Sequence, residues 1–356
     1  MATMTKNPQI MSLATAVPDH ELNQAAVAKY AENIFAKKYK EFDRLSSIFT
    51  NSGIRTRYSV CPLDWFLSPD QGRGWCERSD AFLDGSLELF ARAANKALEA
   101  ADITADEIDR IITVCSTGIA TPTIEARQLT AMGFRADVKR VPVFGLGCAG
   151  GVTGLSLAAA LARANPQERI LLVVLETCTL AFRDDELSKS NIVAIALFGD
   201  GAAAAVLSGS TQNGLGAIEH SGEHTWPDTL DIMGWRIDPT GFSAIFSKSI
   251  PDLVRSKLKS AAGGFLDGHG LRRDDIDGFV FHPGGAKVVD ALEDTFELAQ
   301  GSLNKERDVL ANFGNMSAPT VLFVLRQALD AGLSGRNLLS SLGPGFTASF
   351  LTLNAA

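Results

Sequence analysis

The sequence contains few cysteines, and their spacing argues against two kinds of cysteine-rich architecture. Its five cysteines are Cys61, Cys76, Cys115, Cys148 and Cys178, and no C-x-x-C pair occurs among them. A zinc ribbon needs such pairs, and a disulfide framework needs a denser set of cysteines. The pattern therefore predicts free thiols in a reducing cytoplasm, and it indicates no metal site.

The sequence also lacks the segments that direct a chain to a membrane. No apolar run reaches the roughly 20 residues that a transmembrane helix needs, and residues 1–25 contain no apolar stretch of signal-peptide length. Basic residues are outnumbered, since 33 Lys and Arg face 41 Asp and Glu, which gives a net charge of −8. This balance argues against nucleic acid and membrane as partners, but it permits a local basic patch for an anionic substrate.

What the sequence does contain is an internal repeat. The 356 residues, 46% of them hydrophobic, suffice for two halves that each bury a core. The paired segments are 105–118 with 273–285, 144–164 with 312–331, and 168–177 with 335–345. In each copy the three segments follow the same order: a buried strand, a glycine turn that opens a helix, and a second buried strand. Three elements in one order at one spacing predict a duplicated fold.

The predicted strands are continuous apolar runs such as ILLVVL, not alternating ones. This pattern is typical of sheets that helices cover on both faces, and it predicts an α/β fold. A polar, glycine-containing stretch at 208–216 marks the boundary between the copies. We therefore expect an N-terminal half over residues 1–210 and a C-terminal half over residues 211–356.

One cysteine lies in an unusual setting, among the five glycines of GLGCAGGVTG (145–154). Cys148 is either a small buried residue in a tight turn or a nucleophile at the start of a helix. Asn315 occupies the equivalent place in the second copy, where it should also begin a helix. A pseudo-twofold axis would bring the two residues together, and His282, at the end of a buried strand, would join them.

Cysteine, histidine and asparagine form a set that suits thiol catalysis. A helix start and a nearby imidazole both favour the thiolate, and an asparagine amide can donate to a developing oxyanion. The structural alternatives are that His282 is an ordinary turn residue and that Asn315 is a plain helix cap. A papain-like hydrolase uses the same residue types, but it has no duplication.

The sequence resembles the type III polyketide synthases, the chalcone and stilbene synthase family, and is most similar to the bacterial alkylpyrone and alkylresorcinol synthases. The motifs that carry this resemblance are GCAGG (147–151), ALFGDGAAA (196–204), HPGG (282–285), GNMSAPTVLFVL (314–325) and LGPGFT (342–347). It implies the thiolase fold, with five αβαβα layers, and a homodimer. It also implies malonyl-CoA and an acyl-CoA starter as substrates, with no cofactor.

The resemblance further implies a role for each site residue. Cys148 would accept the starter acyl group, and His282 with Asn315 would hold the malonyl thioester during decarboxylation. The cavity residues would be Phe198 as gatekeeper, Ala244, Trp235, Cys178, Ser317 and, reaching across the dimer, Thr121. The CoA-binding residues would be Arg44, Lys287, Gly343 and Gly345. Two neighbouring arginines, Arg55 and Arg57, are further candidates for the CoA phosphates.

Departures from the plant enzymes bear on the starter. Ala244 stands where the plant enzymes have a second gatekeeper phenylalanine, Trp235 replaces a glycine and Cys178 replaces a threonine. These changes favour a fatty acyl starter over an aromatic one. The alternatives are a KAS III-like synthase that condenses once, a synthase that makes tetrahydroxynaphthalene or phloroglucinol from malonyl-CoA alone, and a non-catalytic binding protein.

Overall fold

The computed structural model describes residues 7–67, 73–211 and 214–356, so positions 212 and 213 of the predicted boundary lie outside the described residues. The strands are β1 Gln9–Ala16, β2 His20–Asn23, β3 Thr56–Ser59, β4 Arg110–Val114, β5 Lys139–Val143, β6 Arg169–Thr177, β7 Asp200–Ser208, β8 Gly216–Thr225, β9 Met233–Asp238, β10 Gly241–Phe246, β11 Gly278–Phe281, β12 Gly335–Gly343 and β13 Thr347–Ala355. The helices are α1 Gln24–Phe35, α2 Phe42–Leu45, α3 Ser47–Asn51, α4 Trp75–Ala100, α5 Ile124–Met132, α6 Gly150–Ala164, α7 Lys189–Leu197, α8 Ile250–Leu253, α9 Lys259–Asp267, α10 Ala286–Thr295, α11 Asn304–Phe313 and α12 Thr320–Asp330.

Nine of the described strands form one sheet whose order reveals the duplication. The order is β11-β12-β13-β8-β1-β7-β6-β4-β5. In the first half β4 and β6 are parallel and β6, β7 and β1 are antiparallel, while β11, β12, β13 and β8 repeat this pattern in the second half. The halves join through β1 and β8, which share only two residue pairs. The repeat predicted from the sequence is thus a repeat of the fold.

Successive residues of the central strands enter different cores, which explains their unbroken hydrophobicity. In β6, Leu171, Val173 and Leu175 belong to the core that also contains α1 and α4, whereas the neighbouring Leu172 and Val174 belong to the core that contains α6 and α12. A third core lies between the second half of the sheet and α9 and α10. The two halves of the sheet both face the central pair α6 and α12, and outer helices cover each half on its other side, which gives the five layers of the thiolase fold.

The two central helices approach each other closely because α6 begins with glycines. A Cβ at Gly151 would lie 2.4 Å from the backbone oxygen of Ala318 and 2.7 Å from Val321 Cγ1. A Cβ at Gly150 would lie 2.7 Å from Val114 Cγ1. The start of α6 can therefore reach the turn before α12 only because these positions carry no side chain.

A hairpin of β9 and β10 stands apart from the main sheet and is anchored at its tip. Arg183, which is buried, donates to both carboxylate oxygens of Asp238 at 2.9 and 3.0 Å, and Ser243 Oγ donates to Asp238 at 2.8 Å. Trp75 Nε1 also donates to the backbone oxygen of Asp238, at 2.8 Å. These contacts hold the hairpin against the first half of the chain.

The close helix approach generates a stability prediction. Gly151→Ala should lower the free energy of unfolding by about 1–3 kcal/mol, because the added methyl group meets backbone in a packed core. The measurement is the urea midpoint followed by circular dichroism.

Gly263→Ala is the matched control, because Gly263 lies in α9 and a Cβ there meets nothing within 4 Å. It should be neutral or raise stability by up to about 1 kcal/mol through helix propensity. Equal midpoints for the two variants would contradict the proposed contact between α6 and the turn before α12.

Candidate active site

Cys148 lies in the 3₁₀ turn Gly147–Ala149 that leads directly into α6. Gly147 has φ +49°, and its N–H donates to Ser116 Oγ at 3.0 Å. A Cβ at Gly147 would lie 2.6 Å from Pro344, and one at Gly343 would lie 2.6 Å from Ala149 Cβ. The segment SLGPG (341–345) therefore packs against the turn that carries Cys148 and restricts the position of the thiol.

The thiol of Cys148 is half-buried, and its electrostatics differ from the expected thiolate. Its Sγ donates to Ser317 Oγ at 3.4 Å. Desolvation raises the pKa of Cys148 to about 11, and the carboxyl of Glu176 adds to the rise, while hydrogen bonds with Ser317 and Asn315 oppose it. The prediction that the helix start and a nearby imidazole would favour the thiolate is thus wrong, because desolvation is the largest influence on this thiol.

Asn315 is buried beside this turn, but it does not begin a helix as the sequence predicted. Its Oδ1 accepts from Ser317 N at 2.8 Å, and Ser317 has φ +60°, which interrupts the helical path. As a result α12 begins only at Thr320. The backbone of Asn315 instead bonds to Leu197 O and Gly199 N, so that Asn315 is held beside Phe198.

His282 is linked to Asn315 through the backbone of Gly284. Asn315 Nδ2 donates to the backbone oxygen of Gly284 at 3.2 Å, two residues after His282. The His282 side chain is only 5% exposed, and both its ring nitrogens are buried without a hydrogen-bond partner among the described residues. Desolvation lowers the pKa of His282 to about 3, so that the imidazole is neutral at physiological pH. A neutral imidazole with no partner is a free donor and acceptor.

A cavity of about 40 Å³ borders the thiol, and we call it the inner cavity. It is lined by Gly147, Cys148, Phe198, Met233, Gly234, Trp235, Ala244, Ile245, Phe246, Ser317 and Pro344. Ala244 pairs directly with Trp235 across the hairpin, and the Trp235 ring lies 5.8 Å from that of Phe198. The inner cavity, whose lining is mostly apolar, thus contains four of the cavity residues expected from the sequence. They are Phe198, Ala244, Trp235 and Ser317, and they lie around Cys148.

A second cavity, of about 310 Å³, opens to the surface beside the first, and we call it the entrance cavity. Its lining includes Gly284, Gly285 and four exposed cations, which are Arg44, Lys189, Lys248 and Lys287. None of these cations forms an ion pair within the described ranges. The sequence analysis predicted Arg44 and Lys287 but missed Lys189 and Lys248. The only signal for these two was a single basic residue near a family motif.

Four other predicted residues line neither cavity. Cys178 is fully buried in the first core, and desolvation raises the pKa of its thiol well above the usual value. Thr121 is exposed on the loop before α5, Gly343 packs on Ala149, and Gly345 follows Pro344 with φ +69°.

Arg57 is also placed differently from the expectation that it would bind phosphate. It is fully buried and donates to the backbone oxygens of Ile195 at 2.6 Å and Phe198 at 3.0 Å, and to the side chain of Gln24. Its guanidinium therefore holds the turn that carries Phe198 and cannot reach an anion in the entrance cavity.

Glu176 is a buried carboxyl that the sequence analysis missed. It is the next-to-last residue of β6 and accepts from Ser116 N at 2.9 Å and Thr117 Oγ1 at 2.8 Å, while its Oε1 has no partner among the described residues. Desolvation raises the pKa of Glu176 to about 8. The signal that could have identified it is a single acid at the end of the apolar run ILLVVLE.

The effect of Glu176 on the thiol can be measured. Above pH 8 its charge opposes the Cys148 thiolate, so Glu176→Gln should speed alkylation of Cys148 by iodoacetamide about two- to tenfold at pH 9. Near pH 6.5 Glu176 is protonated, and the variant and the wild type should react alike. Peptide mass spectrometry separates Cys148 from the exposed Cys76.

Glu306→Gln is the control, because Glu306 is also a buried carboxyl, and desolvation raises its pKa to about 7. Glu306 lies in the C-terminal half of the chain, where it accepts a hydrogen bond from Phe281 N. It should leave the alkylation rate of Cys148 unchanged. A pH-independent effect of Glu176→Gln would contradict the electrostatic coupling.

Two family models match this chain, and known proteins resemble it over nearly its whole length. Residues 2–211 match the family "Chalcone and stilbene synthases, N-terminal domain", and residues 218–355 match the corresponding C-terminal domain. The 1,3,6,8-tetrahydroxynaphthalene synthase of Streptomyces peucetius subsp. caesius is 37% identical over 98% of this chain and 93% of its own length. The 3,5-dihydroxyphenylacetyl-CoA synthase of Amycolatopsis balhimycina is 29% identical over 98% of this chain and 93% of its own.

The fold agrees as well. The crystal structure of the 1,3,6,8-tetrahydroxynaphthalene synthase of Streptomyces coelicolor A3(2), a bacterial type III polyketide synthase, matches 98% of this chain and 99% of its own with a TM-score of 0.91 at 28% identity. None of the described helices is both long and apolar enough to span a bilayer. The chain belongs to the chalcone and stilbene synthase family and is a type III polyketide synthase, an acyl-transferring and condensing enzyme.

Proposed function

We propose that this synthase loads an acyl group from acyl-CoA onto Cys148 and extends it with malonyl-CoA, with His282 and Asn315 holding the malonyl thioester during decarboxylation. In loading, the thiol attacks the thioester carbonyl, its proton passes to His282, and CoA leaves as the thiol after taking that proton. In extension, malonyl-CoA loses carbon dioxide, and the enolate carbon attacks the acyl group on Cys148. The Cys148 thiolate leaves, and the chain grows by two carbons on CoA.

One observation carries this proposal: the His282 imidazole is buried without a hydrogen-bond partner among the described residues, close to the Asn315 amide. The neutral imidazole has one N–H, while the Asn315 amide bonds to the backbone oxygen of Gly284 and to the Cys148 thiol. Buried polar groups are nearly always partnered, so the unpartnered imidazole indicates a ligand oxygen at this place. A thioester carbonyl that becomes an enolate suits this site, because the imidazole and the amide can both donate to the charge that forms on its oxygen.

The four cations of the entrance cavity support CoA as the carrier. Lysine ammonium and arginine guanidinium groups bind phosphate oxygens, and here they surround a cavity in a chain of net charge −8. The pantetheine arm would pass Gly284 and Gly285 toward Asn315. In this proposal Gly343 and Gly345 do not contact CoA directly. Gly343 positions the turn that carries Cys148, and Gly345 positions Pro344.

The starter in this proposal is a fatty acyl group, and the product is an alkylpyrone, an alkylresorcinol or a related phenolic. The inner cavity is bordered by Phe198, Met233, Trp235, Ala244 and Phe246, and such a lining suits a hydrocarbon better than a carboxylate. Each buried methylene contributes roughly 0.8 kcal/mol. A long tail needs more room than about 40 Å³, so the Trp235 or Phe198 ring would have to turn aside.

A second candidate is a synthase that starts from malonyl-CoA itself. The small volume of the inner cavity favours a short starter, and the relative that is 37% identical is a tetrahydroxynaphthalene synthase. Mass spectrometry of products from malonyl-CoA alone, and from malonyl-CoA with palmitoyl-CoA, separates the two candidates.

The proposed assembly is a homodimer in which Thr121 reaches the partner's cavity. The loop and the strand near Thr121 expose apolar side chains, with Ile119 62% and Phe144 53% exposed. Strand β5 also forms an open edge of the sheet. An unpaired edge with exposed apolar neighbours suits a self-complementary contact.

The proposed roles predict that loading and decarboxylation can be separated. Asn315→Ala should slow malonyl-CoA decarboxylation on the order of a hundredfold or more, because one enolate donor is lost. Cys148 should still gain the acyl mass from the starter, whereas Cys148→Ala should not. Carbon dioxide release and peptide mass spectrometry measure the two steps.

The control is Asn312→Ala, which removes the same amide from a residue that lines neither cavity and should leave both steps unchanged. Undiminished decarboxylation in Asn315→Ala, or extended products from Cys148→Ala, would overturn the assigned roles.

The proposed starter predicts a change in chain-length preference. Ala244→Phe should lower kcat/KM for palmitoyl-CoA much more than for hexanoyl-CoA, because the new ring fills space next to Trp235 that the tail needs. The ratio of the two kcat/KM values in variant and wild type is the quantity to compare.

Ile237→Phe is the control, since Ile237 lies on the same hairpin but is 57% exposed. It should keep the wild-type ratio. An unchanged ratio in Ala244→Phe would remove residue 244 from the tail's path, and a wild type that prefers malonyl-CoA as starter would favour the second candidate.

A further inference from the structure

We propose that Phe246 is the gate residue between the two cavities, which controls the access of substrate and water to Cys148. This inference rests on the proposed function, because it concerns the acyl group on the same thiol. It places a second gate at the end of β10, two residues beyond position 244, where the plant enzymes have their second gatekeeper phenylalanine.

Phe246 is the one residue that borders both cavities among those that the structure describes. It ends β10 two positions after Ala244, on the same face of the strand, and pairs with Met233 across the hairpin. Its ring packs against three hydrophobic clusters at once. The space that Ala244 leaves empty is thus bordered by an aromatic ring from the neighbouring position on that face.

The two cavities divide the active-site groups between them, so a ring at this place separates reactants. Cys148 and Ser317 border the inner cavity. Gly284, the acceptor of the Asn315 amide, borders the entrance cavity. A thioester that arrives through the entrance cavity and contacts Asn315 must pass the edge of Phe246 to reach the thiol.

The ring partner of Phe246 across this passage is held more firmly than Phe246 itself. Phe198 meets Phe246 edge-on, with centroids 6.4 Å apart. The turn that carries Phe198 is bound to the buried Arg57 and bridged to Asn315. Phe246 is half-buried, and Ser190 Oγ donates to its backbone oxygen over a long 3.5 Å. Rotation of the Phe246 side chain is therefore the simpler way to join the cavities.

A gate of this kind would have two effects. An open passage admits acyl groups of larger cross-section, and it also admits water, which hydrolyses the thioester on Cys148 to the free acid and the thiol. Closing an active site prevents such side reactions. Phe246 would thus set both the width of the acyl group that is loaded and the lifetime of the acyl-enzyme.

The test uses Phe246→Ala with Phe265→Ala as its matched control. Phe265 is also half-buried and lies on α9 against Phe350, away from both cavities. The first readout is the rate at which Cys148 reacts with a bulky reagent, N-(1-pyrenyl)maleimide, relative to iodoacetamide. The second is the decay of acyl-Cys148 without malonyl-CoA, followed by intact-protein mass spectrometry after loading with hexanoyl-CoA.

Phe246→Ala should raise the bulky-to-small reactivity ratio on the order of tenfold, which corresponds to about 1.4 kcal/mol of activation free energy. It should also shorten the lifetime of the acyl-enzyme, while Phe265→Ala matches the wild type in both readouts. Phe246→Leu, which keeps most of the side-chain volume, should fall between them.

A Phe246→Ala protein whose reactivity ratio equals that of Phe265→Ala would overturn the gate. The thiol-reagent readout needs no acylation, so it remains decisive if no acyl-CoA loads Cys148. A higher reactivity ratio without any acylation would support the gate and count against the proposed function, so the two failures are distinguishable.

Discussion

The close approach of α6 to the turn before α12 is the constraint on which the rest of the site depends. Gly151 lies against the backbone of Ala318, and this contact brings the two turns of the duplicated fold together. One turn carries Cys148 and the other carries Ser317, and their side chains meet at 3.4 Å. A side chain at Gly151 would push the turns apart, so the same absence of a Cβ serves both packing and the geometry of the site.

Burial at this junction sets the protonation of the reactive groups. Desolvation raises the pKa of Cys148 to about 11 and lowers that of His282 to about 3, so both groups are neutral in this structure. A neutral imidazole keeps one N–H to donate, and a protonated thiol is a weaker nucleophile than a thiolate.

The wall of the active site comes from a different part of the structure, the hairpin of β9 and β10. This hairpin does not belong to the nine-stranded sheet and is attached through Arg183 and Asp238 at its tip. It supplies Trp235, Ala244 and Phe246 to the two cavities, whereas the turns that carry Cys148 and Ser317 belong to the packed core. Binding residues in proteins are often carried by such peripheral segments on a rigid scaffold.

The sequence by itself determined the duplicated α/β fold and the three catalytic candidates, because repeated order, unbroken apolar strands and the setting of Cys148 are local properties of the chain. The tertiary structure decided what depends on distant segments: the raised pKa of the thiol, the burial of Arg57 and the position of Phe246 between the cavities. It also decided that α12 starts at Thr320. Desolvation, and the meeting of side chains more than a hundred residues apart, follow from packing, which no local pattern encodes.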